Sequence, residues 1–195
     1  LVKKYHGFLN AGDLKSQLET FKYLQGFYPE GTQFCVLPMD MEFMQAGSVK
    51  QPYLNQLDEL ASIKQNPAYK ELIHPFVFVH PERKGMLDIV RKYVEEKGFS
   101  GLKLYPPLGY YPFDDRLNEI YAYAEKYQLP ITTHCARGGV FFKGEIKGNM
   151  LIHPKTGKRL KEQKNKFFTD AFTDPANYEY VLQQFPQLKI NLAHF

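Results

Sequence analysis

The chain has 195 residues, 44% hydrophobic and 24% charged, with a formal net charge of +4. That balance excludes a disordered or collagen-like polymer and requires no anionic partner. Two cysteines are too few for a disulfide framework, no apolar run approaches the ~20 residues of a membrane span, and the opening LVKKYHGF has no signal-peptide core, so a cytoplasmic protein is expected.

A helix is predicted first, opened by Asp13, with Leu14, Leu18, Phe21 and Leu24 on its apolar face. A β-forming run follows over Gln33–Asp40, then a helix whose stripe is Leu54, Leu57, Leu60 and Ala61. The second run is Ile73–His80, followed by a helix striped with Met86, Ile89, Val90, Tyr93 and Val94. The third is Gly101–Pro106, followed by a helix carrying Leu117, Ile120, Tyr121 and Ala124, for which Asp114 or Asp115 is the cap. The fourth is Pro130–Cys135. Asp174-Pro175 then starts a helix with Tyr178, Val181, Leu182 and Phe185, and Leu188–His194 is the fifth run.

Strands alternating with helices imply parallel strands joined by crossovers, and near-continuous apolar character is what such strands need when both faces are covered. Two architectures satisfy this, an open doubly wound sheet and a (β/α)8 TIM-barrel-like fold. No Gly-x-Gly-x-x-Gly or P-loop follows any strand, which removes support for the nucleotide-binding open sheet. Only five strands can be placed where a barrel of ~250 residues has eight. The expectation is therefore a single, incomplete barrel domain over 1–195, the middle of a larger barrel, with a basic insertion at about 141–173.

In either architecture the functional groups gather at the carboxyl ends of the strands. Those ends carry Asp40, His80, Lys103 with Tyr105, His134 with Cys135, and His194. A single strand-end histidine is more often structural than a ligand; five such ends converging on one mouth make a site. Neutral imidazoles from neighbouring strands suit Zn²⁺ or a similar ion, so His134 and His194 are the candidate metal ligands, the alternative being hydrogen bonding within the mouth. His134 and Cys135 are strand neighbours pointing to opposite faces, so they are not a nucleophile pair. Asp40 and Glu42 form either a carboxylate pair or a helix start with an exposed acid. The Pro106–Pro112 loop is a rigid aromatic wall for a substrate pocket or a pad packed on a helix.

The segments Gly98–Pro106, Leu129–Cys135 and Ile190–Phe195 resemble strands four, five and six of the amidohydrolase superfamily. Met39–Glu42 and Phe76–Pro81 fit strands two and three of its amidohydrolase-related branch, which holds metal-dependent hydrolases and decarboxylases. The resemblance implies that His134 and His194 hold a divalent metal, zinc by ligand type, with one or two ions compatible. It implies for Lys103 either the carboxylated lysine that bridges two metals, a partner for a substrate carboxylate, or a residue capping the mouth. His194 with Lys103 would supply the acid–base groups, and Asp40, His80, Tyr105 and Arg137 would contact substrate. The strand-one His-x-His pair and the strand-eight Asp of the family have no counterpart in this sequence.

The function so implied is hydrolysis of a small organic substrate by a metal-activated water. Alternatives are a metal-dependent decarboxylase of the same family or a non-catalytic barrel that binds a ligand or partner. Residues 143–166 carry eight basic and two acidic side chains. This segment reads first as a solvated loop anchored by Phe141, Phe142, Phe167 and Phe168, with a lid over the mouth or a nucleic-acid patch as alternatives. The partners expected are a small-molecule substrate and further copies of the chain, not a membrane or nucleic acid.

Overall fold

A computed structural model describes residues 14–161 and 164–194. Five strands, β1 (Phe34–Val36), β2 (Ile73–Val79), β3 (Gly101–Leu104), β4 (Pro130–His134) and β5 (Lys189–Ala193), form one sheet in the order β1-β2-β3-β4-β5. Every pairing is parallel. Each crossover steps one strand further in the same direction, so the sheet has no reversal point of the kind that defines a doubly wound fold. The result is a curled half-barrel, an incomplete (β/α) TIM-barrel-like fold, and the open-sheet alternative falls away. Among the described residues no helix is long and apolar enough to cross a membrane.

Among the described residues six α-helices accompany the strands: α1 (Gln17–Gln25), α2 (Tyr53–Gln65), α3 (Met86–Arg91), α4 (Asn118–Lys126), α5 (Asn165–Phe168) and α6 (Asn177–Gln184). The predicted cap Asp13 lies outside the described residues, and α1 is capped by Ser16, whose hydroxyl accepts from Glu19 N–H. Asp114 caps the 3₁₀ turn that opens α4, and Asp174 accepts from Ala176 N–H ahead of α6. Three stripe positions are solvent-facing instead of core: Leu24 (43% exposed), Leu54 (40%) and Leu182 (40%). In α2 the buried face is set by Tyr53, whose hydroxyl donates to the Phe78 carbonyl at 2.8 Å; Leu54, one residue on, is turned ~100° away from it. Leu182 stands in the same relation to buried Val181. The run Gln33–Asp40 yields only the three-residue β1, because Pro38 and Asp40 already belong to the loop above it.

Register identifies the two faces of the sheet. The Thr133 hydroxyl shares a hydrogen bond with the buried Tyr178 hydroxyl of α6, so Thr133 faces the helices. Its register partners Leu104 and Val79, and the alternating Ile131, Leu102 and Val77, therefore share that face, and all are buried. The opposite, concave face carries Phe78, Lys103, Thr132 and Asn191 as one layer, with Asn191 Nδ2 donating to Thr132 Oγ1 at 3.1 Å. Continuing each strand by two residues brings His80, Tyr105 and His134 into the next layer toward the mouth. The same alternation that packs the core outward aims the titratable groups inward.

Candidate active site at the carboxyl ends of the strands

Four of the predicted groups meet on this concave face. His134, the last residue of β4, lies with its ring centroid 4.7 Å from Tyr105 and 5.1 Å from His194. The Nε2 of His134 is buried and has no hydrogen-bond partner among the described residues. Burial lowers its pKa, and the neighbouring His194 and Lys103 lower it further, while backbone groups of Gly138 and Ala136 oppose the shift. The imidazole is thereby kept neutral with a free lone pair. Lys103 is buried at 6% exposure, and burial lowers its pKa as well. It has no ion-pair partner among the described residues, and its ammonium lies 5.7 Å from the Tyr105 ring centroid.

His194 reaches this cluster through a backbone irregularity. In a continuing strand it would face away from Ala193, the register partner of His134, and hence away from His134 itself. Its φ of 68° is left-handed, unusual outside glycine, and this turn brings the imidazole back beside His134. Gly139, at φ 82°, completes the wall from the other side. A Cβ there would stand 2.6 Å from the Tyr105 hydroxyl and 3.9 Å from His134 Nε2. Gly139→Ala is expected to cost about 1–3 kcal/mol, read by urea denaturation, because it adds a methyl to a full space at a left-handed position; a neutral substitution would mean that the Tyr105 ring can yield.

The other predicted residues occupy different surroundings. Asp40 is fully buried and bonded to Arg83, while Arg83 Nη2 also donates to Glu42 Oε2 at 2.6 Å. Asp40 thus caps a 3₁₀ turn and Glu42 is its exposed acid, as one sequence reading had it, yet neither carboxylate is free, because one arginine joins both. Burial raises the Asp40 carboxyl despite the opposing pull of Arg83. His80 lies flat on Phe43 at 3.9 Å with Tyr110 edge-on at 4.8 Å. Its Nδ1 accepts from Glu82 N–H at 3.2 Å, which leaves Nε2 as the protonated nitrogen, buried without a partner of hydrogen-bonding geometry. Arg137 is 89% exposed and leans 3.9 Å from Asp170, apart from the cluster. Cys135 is buried on the helix side near Thr133, with its thiol pushed up to about 11 by burial, consistent with its exclusion as a nucleophile.

Two residues of this neighbourhood carry no sequence signature of their role. Arg83 stacks over the Phe43 and Tyr53 rings, at 5.1 and 5.5 Å, while tying the loops after β1 and β2 together. The Tyr110 hydroxyl accepts from Tyr105 N–H at 2.8 Å and approaches the Val79 carbonyl at 3.3 Å, pinning the exits of β2 and β3. The Pro106–Pro112 loop meets the second of its sequence readings, the pad packed on a helix. It packs on α4, where Tyr121 donates to the Pro112 carbonyl, and it lines a cavity with Tyr110 and Tyr111. The basic segment is tethered at its start, where Phe142 N–H donates to Pro107 and Lys143 N–H to Met44, and Phe142 is buried against Gly109. The Phe167 and Phe168 side chains lie outside the described residues.

Two imidazoles, one with a buried unused nitrogen, suit a transition metal by donor type and supply two of the about three protein ligands a catalytic zinc takes. Among the described residues no group of three or more His, Cys, Asp and Glu is arranged to hold a metal ion. A same-direction parallel sheet with a histidine pair, a lysine and a tyrosine at its carboxyl ends is part of a TIM-like barrel, with these groups on the face where such barrels carry their sites. The amidohydrolase family profile matches residues 26–195, and the chain belongs to that family. No curated protein and no solved structure matches it.

Proposed function

We propose that the protein is a metal-dependent hydrolase of the amidohydrolase-related type, acting on a small organic substrate at the concave face beside β4 and β5. The observation that carries this reading is the buried, unpartnered Nε2 of His134 beside the His194 ring. Those two side chains would hold a divalent cation, zinc by donor type, which when bound supplies Lewis acidity and a water of pKa near ~7. The chain's own groups do the positioning. His134 stays neutral through burial and the nearby Lys103 and His194, so its lone pair is available at neutral pH. Lys103, an ammonium with no ion-pair partner among the described residues, orients a carboxylate or carbonyl oxygen of the substrate from the floor of the face. Tyr105 stands between Lys103 and His134, where its hydroxyl can steady the same oxygen, and the Gly138-Gly139 turn limits access from one side.

Metal analysis of the purified protein after loading with Zn²⁺ or Co²⁺ tests this reading. The expected result is near-stoichiometric metal with a cobalt ligand-field spectrum, both lost in His134→Ala and His194→Ala. Absence of bound metal under every loading condition would turn the assignment toward a non-catalytic barrel that binds a ligand or partner.

A further inference from the structure

A cavity of about 510 Å³ opens between the loop that follows β3 and the inserted basic segment. Its walls are Tyr110, Tyr111, Phe113, Phe172 and Met150, and Lys155 reaches over it. The rings support one another: Tyr111 and Phe113 stack at 4.9 Å, and Phe172 meets Tyr111 edge-on at 4.6 Å. His153 backs them, 4.9 Å from Tyr111 and 5.4 Å from Phe113. Its own orientation is set by Lys155 N–H and Thr156 N–H, both donating to Nδ1 at 3.2 Å, and by Asn177 Oδ1 at 3.3 Å from Nε2. This aromatic wall is therefore pinned to α6 and does not depend on a ligand for its shape.

The charge on the rim is specific. Of the eight basic side chains between 143 and 166, only Lys155 lines the cavity, whereas two acids do, Asp114 and Asp115. Asp114 is committed to Arg116, with contacts of 2.6 and 2.8 Å. Asp115 is exposed and its carboxylate has no ion-pair or hydrogen-bond partner among the described residues. Lys155 Nζ lies 5.5 Å from the Phe113 ring centroid, the distance of a cation–π contact. The Tyr111 hydroxyl, buried in the wall with no partner among the described residues, leaves one further acceptor unused. A full-sized aromatic face, an uncommitted carboxylate and a tethered ammonium already resting on the ring describe the recognition of a positive nitrogen on an apolar body.

We propose that this cavity binds a small organic ammonium ion, and that the Lys155 side chain is an internal stand-in that the ligand displaces. The volume suits a ligand of one or two rings. Its ammonium takes the place of the Lys155 Nζ over Phe113, Asp115 supplies the counter-charge, and its apolar part rests on Met150 and Ile152. None of Lys103, Tyr105, His134 and His194 lines this cavity, so it is distinct from the histidine pair and needs no metal.

Titration calorimetry with phenethylammonium, against the neutral 2-phenylethanol of similar shape, tests the proposal. The ammonium is expected to bind about tenfold more tightly than the alcohol. Lys155→Ala, an exposed side chain whose backbone bond to His153 is retained, is expected to tighten phenethylammonium binding about two- to fivefold by removing the competitor. Asp115→Asn should weaken it by a similar factor. Equal binding of the alcohol, no binding at millimolar ammonium, or an unchanged or weakened Lys155→Ala variant would each overturn the proposal. None of these outcomes bears on metal binding at His134 and His194.

Discussion

Arg83→Ala is expected to destabilise the protein by about 3–5 kcal/mol at neutral pH, a third or more of the stability of an ordinary domain. The reason is the carboxylate left behind. Asp40 has no exposed surface, and Arg83, itself only 16% exposed, is its ion-pair partner. Glu42, at 40% exposure, can return to water when the arginine is gone; Asp40 cannot. The arginine also fills the space between the Phe43 and Tyr53 rings, so truncation removes packing along with charge. The pH dependence distinguishes these causes. Burial already raises the Asp40 pKa in the folded protein above its unfolded value. A raised folded pKa means that protonation favours the fold, so the charge component of the defect is full at neutral pH and is relieved as pH falls through the folded pKa. Urea denaturation of wild type and Arg83→Ala at pH 5 and pH 8 reads this directly. A defect of equal size at both would assign the loss to packing alone. Arg83→Lys, which keeps the charge but not the fork that reaches both Asp40 and Glu42, should fall between the two.

That buried knot shows which parts of this protein are legible in its sequence. β2 is legible because a strand covered on both faces must be apolar almost throughout, as Ile73–Val79 is. The inward aim of Lys103 follows from alternation between Leu102 and Leu104, both of which the core requires. The gathering of strand ends at one face follows from parallel topology alone. Arg83 is different. Its partner Asp40 lies 43 residues earlier, and only the pairing of β1 with β2 brings them together. Nothing in the local pattern distinguishes it from a surface arginine in a loop. His194 fails for a second reason: the alternation that correctly orients Lys103 would place it on the wrong face, and the left-handed φ that corrects this has no signature in a non-glycine residue. Leu54 shows a third. Two helical faces one residue apart compete, and the winner is the one where Tyr53 finds the Phe78 carbonyl.

His80 is the second residue whose substitution should have a large effect, and the effect is one of pH. Its ring is 3% exposed, flat against Phe43 and edge-on to Tyr110. Burial first, then the positive charge of Arg116, lower its pKa to about 3; the Leu108 backbone opposes this, Arg83 adds a smaller lowering and Asp114 a still smaller opposition. At neutral pH it is therefore a neutral Nε2–H imidazole, unable to act as an imidazolium acid. In the unfolded chain the same ring titrates near ~6.5. A lowered folded pKa means that the unfolded state takes up the proton first. The stability that comes from keeping His80 neutral is thus complete above pH ~6.5 and is lost progressively as pH falls toward 3. At about 1.4 kcal/mol per unit, the loss across that window is on the order of 4 kcal/mol. His80→Asn keeps an acceptor for the Glu82 N–H and cannot titrate, so its stability should decline more gently between pH 6.5 and 3.5. Parallel slopes for the two proteins in urea denaturation across that range would refute the assignment. So would a His80 ring resonance that titrates near pH 6 by NMR, because a ring that protonates there is not held in the dry stack between Phe43 and Tyr110.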